Sequence, residues 1–410
     1  MIADLEGLYS HNAKNLKKSV IRELLKLTNK PGIISFAGGL PAPETFPVND
    51  VKAIVAEMLD EEGTKALQYG ATEGETVLKE EIIKFMEKDG IEGLSPDNIL
   101  IMTASQQALD MVCKVFINPN DPVVLELPSY LGMISAMRSY NARMIGINAA
   151  DDGMEMDKLE AELKRLADMR ERVKFVYVIP DFQNPAGITM SLEKRKKLVE
   201  MAVKYQFIII EDSPYRNLRY EGTAVPSIYS LDKEGHTVGL YTFSKIFAPG
   251  LRLGWVIGPA EIINKFVVAR QAMDLCTPPF TQKITSRYMK KGMIYDRIQK
   301  NVDLYRVKKD AMLSALEKYM PKHPDVSWTK PEGGMFLWIR LPEFINTEEM
   351  FYKAIENNVA YVVGSAFYSN DGGHNTMRMN FSYPTLEQIE EGVKRLSRVI
   401  EDVISQYEKK

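Results

Sequence analysis

The sequence predicts an α/β fold: a mostly parallel seven-stranded sheet between helices, followed by a smaller α+β domain. Three observations carry this. Short, nearly continuous apolar runs recur through the middle of the chain, as expected of strands covered on both faces. Helix-like patterns separate these runs, and such alternation implies parallel strands joined by crossover helices. After about residue 295 the pattern changes to one long amphipathic helix, several short strands and a closing charged helix.

Residues 1–47 are expected to form an N-terminal helix and arm: KSVIRELLKL (18–27) is an amphipathic helix, and AGGLPAPETFP (37–47) is rich in Gly and Pro. Residues 48–295 form the expected large domain. Its strands are NILIMTAS (98–105), PVVLELP (122–128), RMIGINA (143–149), VKFVYVIP (173–180), FIIIEDS (207–213), TVGLYTFS (237–244) and LGWVIGP (253–259). Only a short connection joins the last two, so they are expected to be antiparallel neighbours. QQALDMVCKVF (106–116) and SLEKRKKLVEMAVKYQ (191–206) carry the helical period. Residues 296–410 form the expected small domain, with a helix over roughly 296–320, then WTKPEGGMFLWIRLP, AYVVGSAF and TMRMNFS.

Composition narrows the function. A chain of 410 residues, 45% apolar and 26% charged, buries a large core in water. A net charge of −3 gives no electrostatic case for nucleic acid, which needs a concentrated basic surface. Cys113 and Cys276 form no close pair, and the four histidines are isolated, so neither a disulfide framework nor a metal site is expected. No run approaches the roughly 18 apolar residues of a membrane span, and the N-terminus lacks a signal-like apolar core. A soluble, cytoplasmic protein is the expectation.

Catalytic groups in open α/β sheets gather at the carboxyl ends of strands. Four expected strands end in polar groups. The first runs into Ser105-Gln106 and opens a helix, whose N-terminal N–H groups suit a phosphate, although a plain Ser N-cap reads the same way. The second ends in Asn184-Pro185-Ala186-Gly187, where the proline keeps Asn184 out of the helical region and lets its amide point across the strand ends. The third ends in Glu211-Asp212-Ser213-Pro214-Tyr215; alternation should send one carboxylate inward and one outward, and a buried Asp should need a cationic partner. The fourth, YTFSKIFAPGLRLGW (241–255), sets Lys245 in an apolar run with Thr242, Ser244 and Arg252. A lysine at the end of a buried strand is paired with a carboxylate or used chemically. Together these groups suit pyridoxal 5′-phosphate (PLP): arginine, hydroxyls and a helix N-terminus for its phosphate, Asp for its ring nitrogen, Asn and Tyr for its phenolic oxygen, and lysine for its aldehyde.

The order of these motifs resembles that of fold-type-I PLP-dependent aminotransferases (class I/II) over nearly the whole chain. The likeness is greatest to the 2-aminoadipate and kynurenine aminotransferase-like group, through SVIRELLKL, ISFAGGLPAPETFP and LQYGATEG. Ser-Lys-x-x-x-Pro-Gly-x-Arg with an upstream Asp is its most specific part. The resemblance implies that Lys245 is the Schiff-base lysine and proton shuttle and that Asp212 keeps the ring nitrogen protonated. It implies that Asn184 and Tyr215 hold the ring oxygen, Tyr130 stacks on the ring, and Ser105, Gln106, Thr242, Ser244 and Arg252 cradle the phosphate. Tyr69 would reach the phosphate of the neighbouring subunit in a homodimer with shared sites. Arg378 would clamp the substrate α-carboxylate, helped by Gly39 and Asn184, and Arg22 would read the distal end of the substrate. The implied activity moves an amino group from a 2-aminoadipate, aromatic or branched-chain donor to a 2-oxo acid, 2-oxoglutarate, by a ping-pong course. Departures from the family pattern are Ala104 for the usual Gly, Ala186 where Thr is commoner, and Thr242 where Ser is frequent.

Rival readings are weaker. A nicotinamide dehydrogenase would need a GxGxxG fingerprint, which is absent. A transcription regulator built on this fold would need a DNA-binding module, and about 30 residues before AGGLPAP are too few for one. A carbon–sulfur β-lyase or a cyclopropane-forming synthase on the same scaffold stays open, because the cofactor shell would look alike.

Overall fold

The structure, a computed structural model, describes residues 5–15 and 32–408. In chain order its strands are β1 (Ile34–Ser35), β2 (Ile99–Met102), β3 (Pro122–Leu127), β4 (Arg143–Ala150), β5 (Gly153–Met154), β6 (Phe175–Val178), β7 (Ile208–Asp212), β8 (Thr237–Thr242) and β9 (Gly254–Ile257). They continue with β10 (Ser327–Trp328), β11 (Phe336–Arg340), β12 (Val359–Ala360), β13 (Val362–Val363) and β14 (Thr376–Asn380).

The main sheet has the order β2-β9-β8-β7-β6-β3-β4-β5. The run β8-β7-β6-β3-β4 is parallel throughout. As the short connection implied, β9 runs antiparallel to β8, and also to β2. The sheet therefore has eight strands where seven were expected. The extra one, β5, turns back on the end of β4 through Gly153 at φ 103°, and two residues are too few to show a period. The seven expected strands are all present, six of them shorter and β4 one residue longer; β2, for instance, stops at Met102 and the helix Ala104–Phe116 begins at once.

Every residue of β2, β3, β6, β8 and β9 is buried. One face packs Leu125, Tyr177 and Ile210 with the helix Ala104–Phe116. On the other, Val124, Val176 and Ile209 meet the helices Met156–Asp168 and Leu192–Tyr205. Adjacent Ile209 and Ile210 thus lie on opposite faces and both are fully buried, each burial stabilising the fold by about 1.5–3 kcal/mol. The same double cover corrects the expectation for Glu211 and Asp212. They do alternate, but "outward" is also buried, and Glu211 accepts hydrogen bonds from the backbone N–H groups of Ile228 (2.9 Å) and Tyr229 (2.8 Å).

The 27-residue helix Met293–Tyr319 starts at Gly292, φ 73°, and packs on the closing helix Leu386–Glu408. A second sheet, β10-β11-β14-β13, lies beside them. AYVVGSAF resolves into the short β12 and β13 and a 3-10 turn, Gly364–Phe367. β1 pairs parallel with β12, and Asn380 N–H donates to the Phe36 carbonyl at 2.8 Å. Tied down at both points, the arm brings Ala37 and Gly39 over the carboxyl ends of the main sheet. The expected helix 18–27 lies outside the described residues.

Candidate active site

Tyr130, Asn184, Asp212, Tyr215, Thr242 and Lys245 all follow or end parallel strands on the same edge of the sheet. That edge is where the topology collects chemistry.

Thr242, the last residue of β8, pairs with Gly254 in β9, and Gly254 pairs with Met102 at the end of β2. A side chain on Gly254 would collide with the Tyr241 carbonyl and crowd Ala104, so the glycine lets the start of the helix Ala104–Phe116 sit close to Thr242. Ala104 itself stands at φ 59°, a left-handed conformation that glycine adopts without strain, which explains why Gly is usual there. Ser105 and Gln106 follow in the first helical turn, whose N–H groups have no partner within the helix. Thr242 Oγ1 accepts from Ser244 N–H at 3.1 Å and lies 2.9 Å from Ser244 Oγ. Arg252, also left-handed at φ 49°, is exposed and forms no ion pair among the described residues. A cation without a counter-ion, two buried hydroxyls and a helix N-terminus make a cup for a dianion.

Next to this cup, Lys245 Nζ donates to the Gly39 carbonyl at 2.8 Å. Burial, reinforced by Arg378 and Arg252, pushes its ammonium down to about 8. Asp212 is buried, and Tyr177 Oη donates to its Oδ2 at 2.7 Å. Among the described residues its Oδ1 has no hydrogen-bond partner, and burial raises its carboxyl to about 7 against the lowering effect of Tyr177. The expected cationic partner for Asp212 is therefore replaced by a phenol, leaving one carboxylate oxygen free for a cation supplied from outside the chain.

Asn184 bridges two groups: its Nδ2 donates to Tyr215 Oη at 3.3 Å, and its Oδ1 accepts from Arg378 Nη1 at 2.8 Å. Arg378 Nη2 donates to the Ala37 carbonyl at 2.8 Å, while its Nε stays unpartnered. The guanidinium lies 4.2 Å from the centre of the Phe336 ring and 5.0 Å from that of Phe367. With no carboxylate of the described residues in contact, burial lowers it to about 10, so an incoming carboxylate would find a dry, oriented cation. Tyr130 Oη donates to Gln106 Oε1 at 3.3 Å, and burial together with Asp212 pushes its phenol up. A side chain on Gly132 would occupy the space of both the Tyr130 ring and Gln106 Oε1, so this glycine is what lets the two meet.

Of the residues expected at the site, Ser105, Gln106, Tyr130, Asn184, Asp212, Tyr215, Thr242, Ser244, Lys245, Arg252, Arg378 and Gly39 stand at this edge. Tyr69 does not reach it in its own chain: it is 79% exposed, with Leu67 74% exposed beside it. Arg22 lies outside the described residues. Sequence reasoning missed Tyr177, Phe336 and Phe367. Tyr177 is the penultimate residue of a strand that is apolar throughout, and no local signal separates it from a core tyrosine.

The family profile for aminotransferase class I and II matches residues 37–396. The aromatic-amino-acid aminotransferase 1 of Thermococcus litoralis is 46% identical over 399 residues, 97% of this chain and 95% of that one. The crystal structure of Pyrococcus horikoshii kynurenine aminotransferase, complexed with PMP, superposes with a TM-score of 0.94 at 46% identity, covering 98% of this chain and 99% of that one. That of the alpha-aminoadipate aminotransferase of Thermus thermophilus, complexed with N-(5′-phosphopyridoxyl)-L-leucine, gives 0.90 at 39% identity, again with 98% and 99% covered. With its strand-end lysine, free aspartate oxygen and oriented arginine, the chain belongs to the class I and II aminotransferases, fold-type-I enzymes whose cofactor is pyridoxal 5′-phosphate.

Proposed function

We propose that this aminotransferase acts on a 2-aminoadipate, aromatic or branched-chain donor and passes the amino group to 2-oxoglutarate by a ping-pong course. The single observation that carries the site assignment is the convergence of Lys245, the unpartnered Asp212 Oδ1 and the Arg378–Asn184 pair on one strand-end edge. PLP fits these residues: its phosphate suits Ser105, Gln106, Thr242, Ser244 and Arg252, and its ring nitrogen suits Asp212 Oδ1. Asn184 and Tyr215 would hold the ring oxygen, and Tyr130 would lie against the ring. When bound, PLP supplies an electron-withdrawing ring that accepts the electron pair left as the substrate α-proton departs.

The chain's own groups do the rest. An ammonium lowered to about 8 leaves roughly a tenth of Lys245 as free amine at pH 7, enough for it to serve as covalent anchor and then as proton carrier. Arg378 clamps the α-carboxylate, and the flanking Phe336 and Phe367 keep water from the guanidinium. Asn184 links the clamp to Tyr215, so substrate and ring positions are set together. Gly39, whose carbonyl takes the Lys245 proton donor, closes the arm over the site. Arg22 would read the distal carboxylate of dicarboxylic substrates.

On this reading residues 1–47 are an arm over the site, 48–295 the large cofactor-binding domain and 296–410 the small domain. The exposed Leu67 and Tyr69 support a homodimer in which Tyr69 enters the neighbouring site, and the setting is cytoplasmic. Among the described residues no helix is long and apolar enough to cross a membrane.

The test is a panel of amino acids supplied with 2-oxoglutarate, following both the new 2-oxo acid and glutamate. Equimolar formation of the two is expected; release of ammonia and pyruvate from a β-substituted donor, without glutamate, would favour a carbon–sulfur β-lyase. Borohydride reduction and peptide mapping should place the pyridoxyl label on Lys245, and a label on another lysine would overturn that assignment.

A further inference from the structure

Tyr177 sits in β6, one strand over from Asp212, and its neighbour in the register is Ile210. It is buried, and its Oη donates at 2.7 Å to Oδ2 of Asp212. The phenol is held well above its ordinary range, by burial first and then by Asp212, so it stays protonated and can only donate to the carboxylate. No cation of the described chain touches Asp212, and Oδ1 has no partner. The tyrosine is therefore the one group seen to favour the charged form of this carboxyl in an environment that favours the neutral form.

We propose that Tyr177 is a positioning residue that turns Asp212 Oδ1 toward the cofactor ring nitrogen and weakens Asp212 as a base, so that their shared proton stays on the ring. This rests on the reading of Asp212 as the partner of the ring nitrogen. Two acceptors compete for one proton: the ring nitrogen and Asp212 Oδ1. A hydrogen bond to Oδ2 stabilises the anion and tilts the proton to the nitrogen. Removing the donor tilts it back to the carboxyl, with no change in the number of protons or electrons in the site. Hydrogen bonds to charged groups are strong enough to change this partition about tenfold to a hundredfold.

The experiment loads the holoenzyme with PLP labelled with nitrogen-15 in the ring and reads the ring nitrogen resonance at pH 8. Wild type, Tyr177→Phe and Asp212→Asn are compared, each checked for folding by circular dichroism. Wild type should give a protonated ring, Asp212→Asn an unprotonated one, and Tyr177→Phe a resonance displaced toward the latter. A Tyr177→Phe resonance coincident with wild type, while Asp212→Asn is displaced, overturns the role of Tyr177 and leaves the Asp212 reading standing. If neither variant moves the resonance, both readings fall. Should Tyr177→Phe not fold, p-aminophenylalanine at position 177 keeps the ring and weakens the donor, and it must displace the resonance in the same direction.

Discussion

Asp212→Asn isolates what the site pays for holding a charge in a dry place. In the apoprotein, Asn keeps the shape and the acceptor for Tyr177 Oη but removes the ionisation. The folded carboxyl is raised from an ordinary 3.8 to about 7, so between these values the folded state binds the proton and the unfolded state does not. Wild-type stability thus falls, relative to Asp212→Asn, as pH rises from about 4 to 7, and the difference is constant above that window. The full rise corresponds to about 4 kcal/mol; relaxation and water entry discount this to about 2–4 kcal/mol. With about 2.1 cal/mol/K per residue over the chain, the variant should melt roughly 2–5 °C above wild type at pH 8, if unfolding is one transition. At pH 5 that gain should be mostly lost. The assay is scanning calorimetry of apoprotein at fixed subunit concentration, from pH 5 to 8.5. Saturating PLP should reverse the order, because a cationic ring nitrogen stabilises the aspartate and not the amide. A pH-independent difference would refute the account of Asp212 as a carboxyl strained by burial.

Arg378→Lys should lower kcat/KM for all amino acids by one to two decades, since a point charge cannot reproduce both the bidentate fork and the stacking between Phe336 and Phe367; the visible spectrum of the bound cofactor should not change. Arg22→Ala should lower kcat/KM by about one to two decades for dicarboxylic substrates only, leaving apolar donors within a few-fold; equal losses for both classes would overturn the reading of Arg22 as a distal-carboxylate contact. Light scattering at working concentration should give twice the chain mass, and a monomer would end the role proposed for Tyr69.

Much of the fold was legible because a doubly covered sheet writes itself as continuous apolar runs. All seven such runs became strands, including the antiparallel turn between β8 and β9. β5 was not legible, since two residues carry no period. The fate of Glu211 was misread for a related reason: alternation tells which face a residue takes, not whether that face is covered. Much of the candidate site was legible as local motifs: Asn184, Asp212, Lys245 and Arg252 each sit in a short run of suggestive residue types, and the fold gathers them at one strand-end edge.

What sequence could not supply is how distant residues finish each of those groups. Tyr177 and Asp212 are 35 residues apart, Asn184 and Arg378 are 194, and Gly39 and Lys245 are 206. In the sequence Asp212 called for a cation; in the fold it received a phenol on one oxygen and, among the described residues, nothing on the other. Residue type and spacing select chemistry locally, because a lysine or an arginine carries its reactivity with it. Basicity and orientation belong to the surroundings, because they depend on how much water is removed and which partner is left, and only the packed chain decides that.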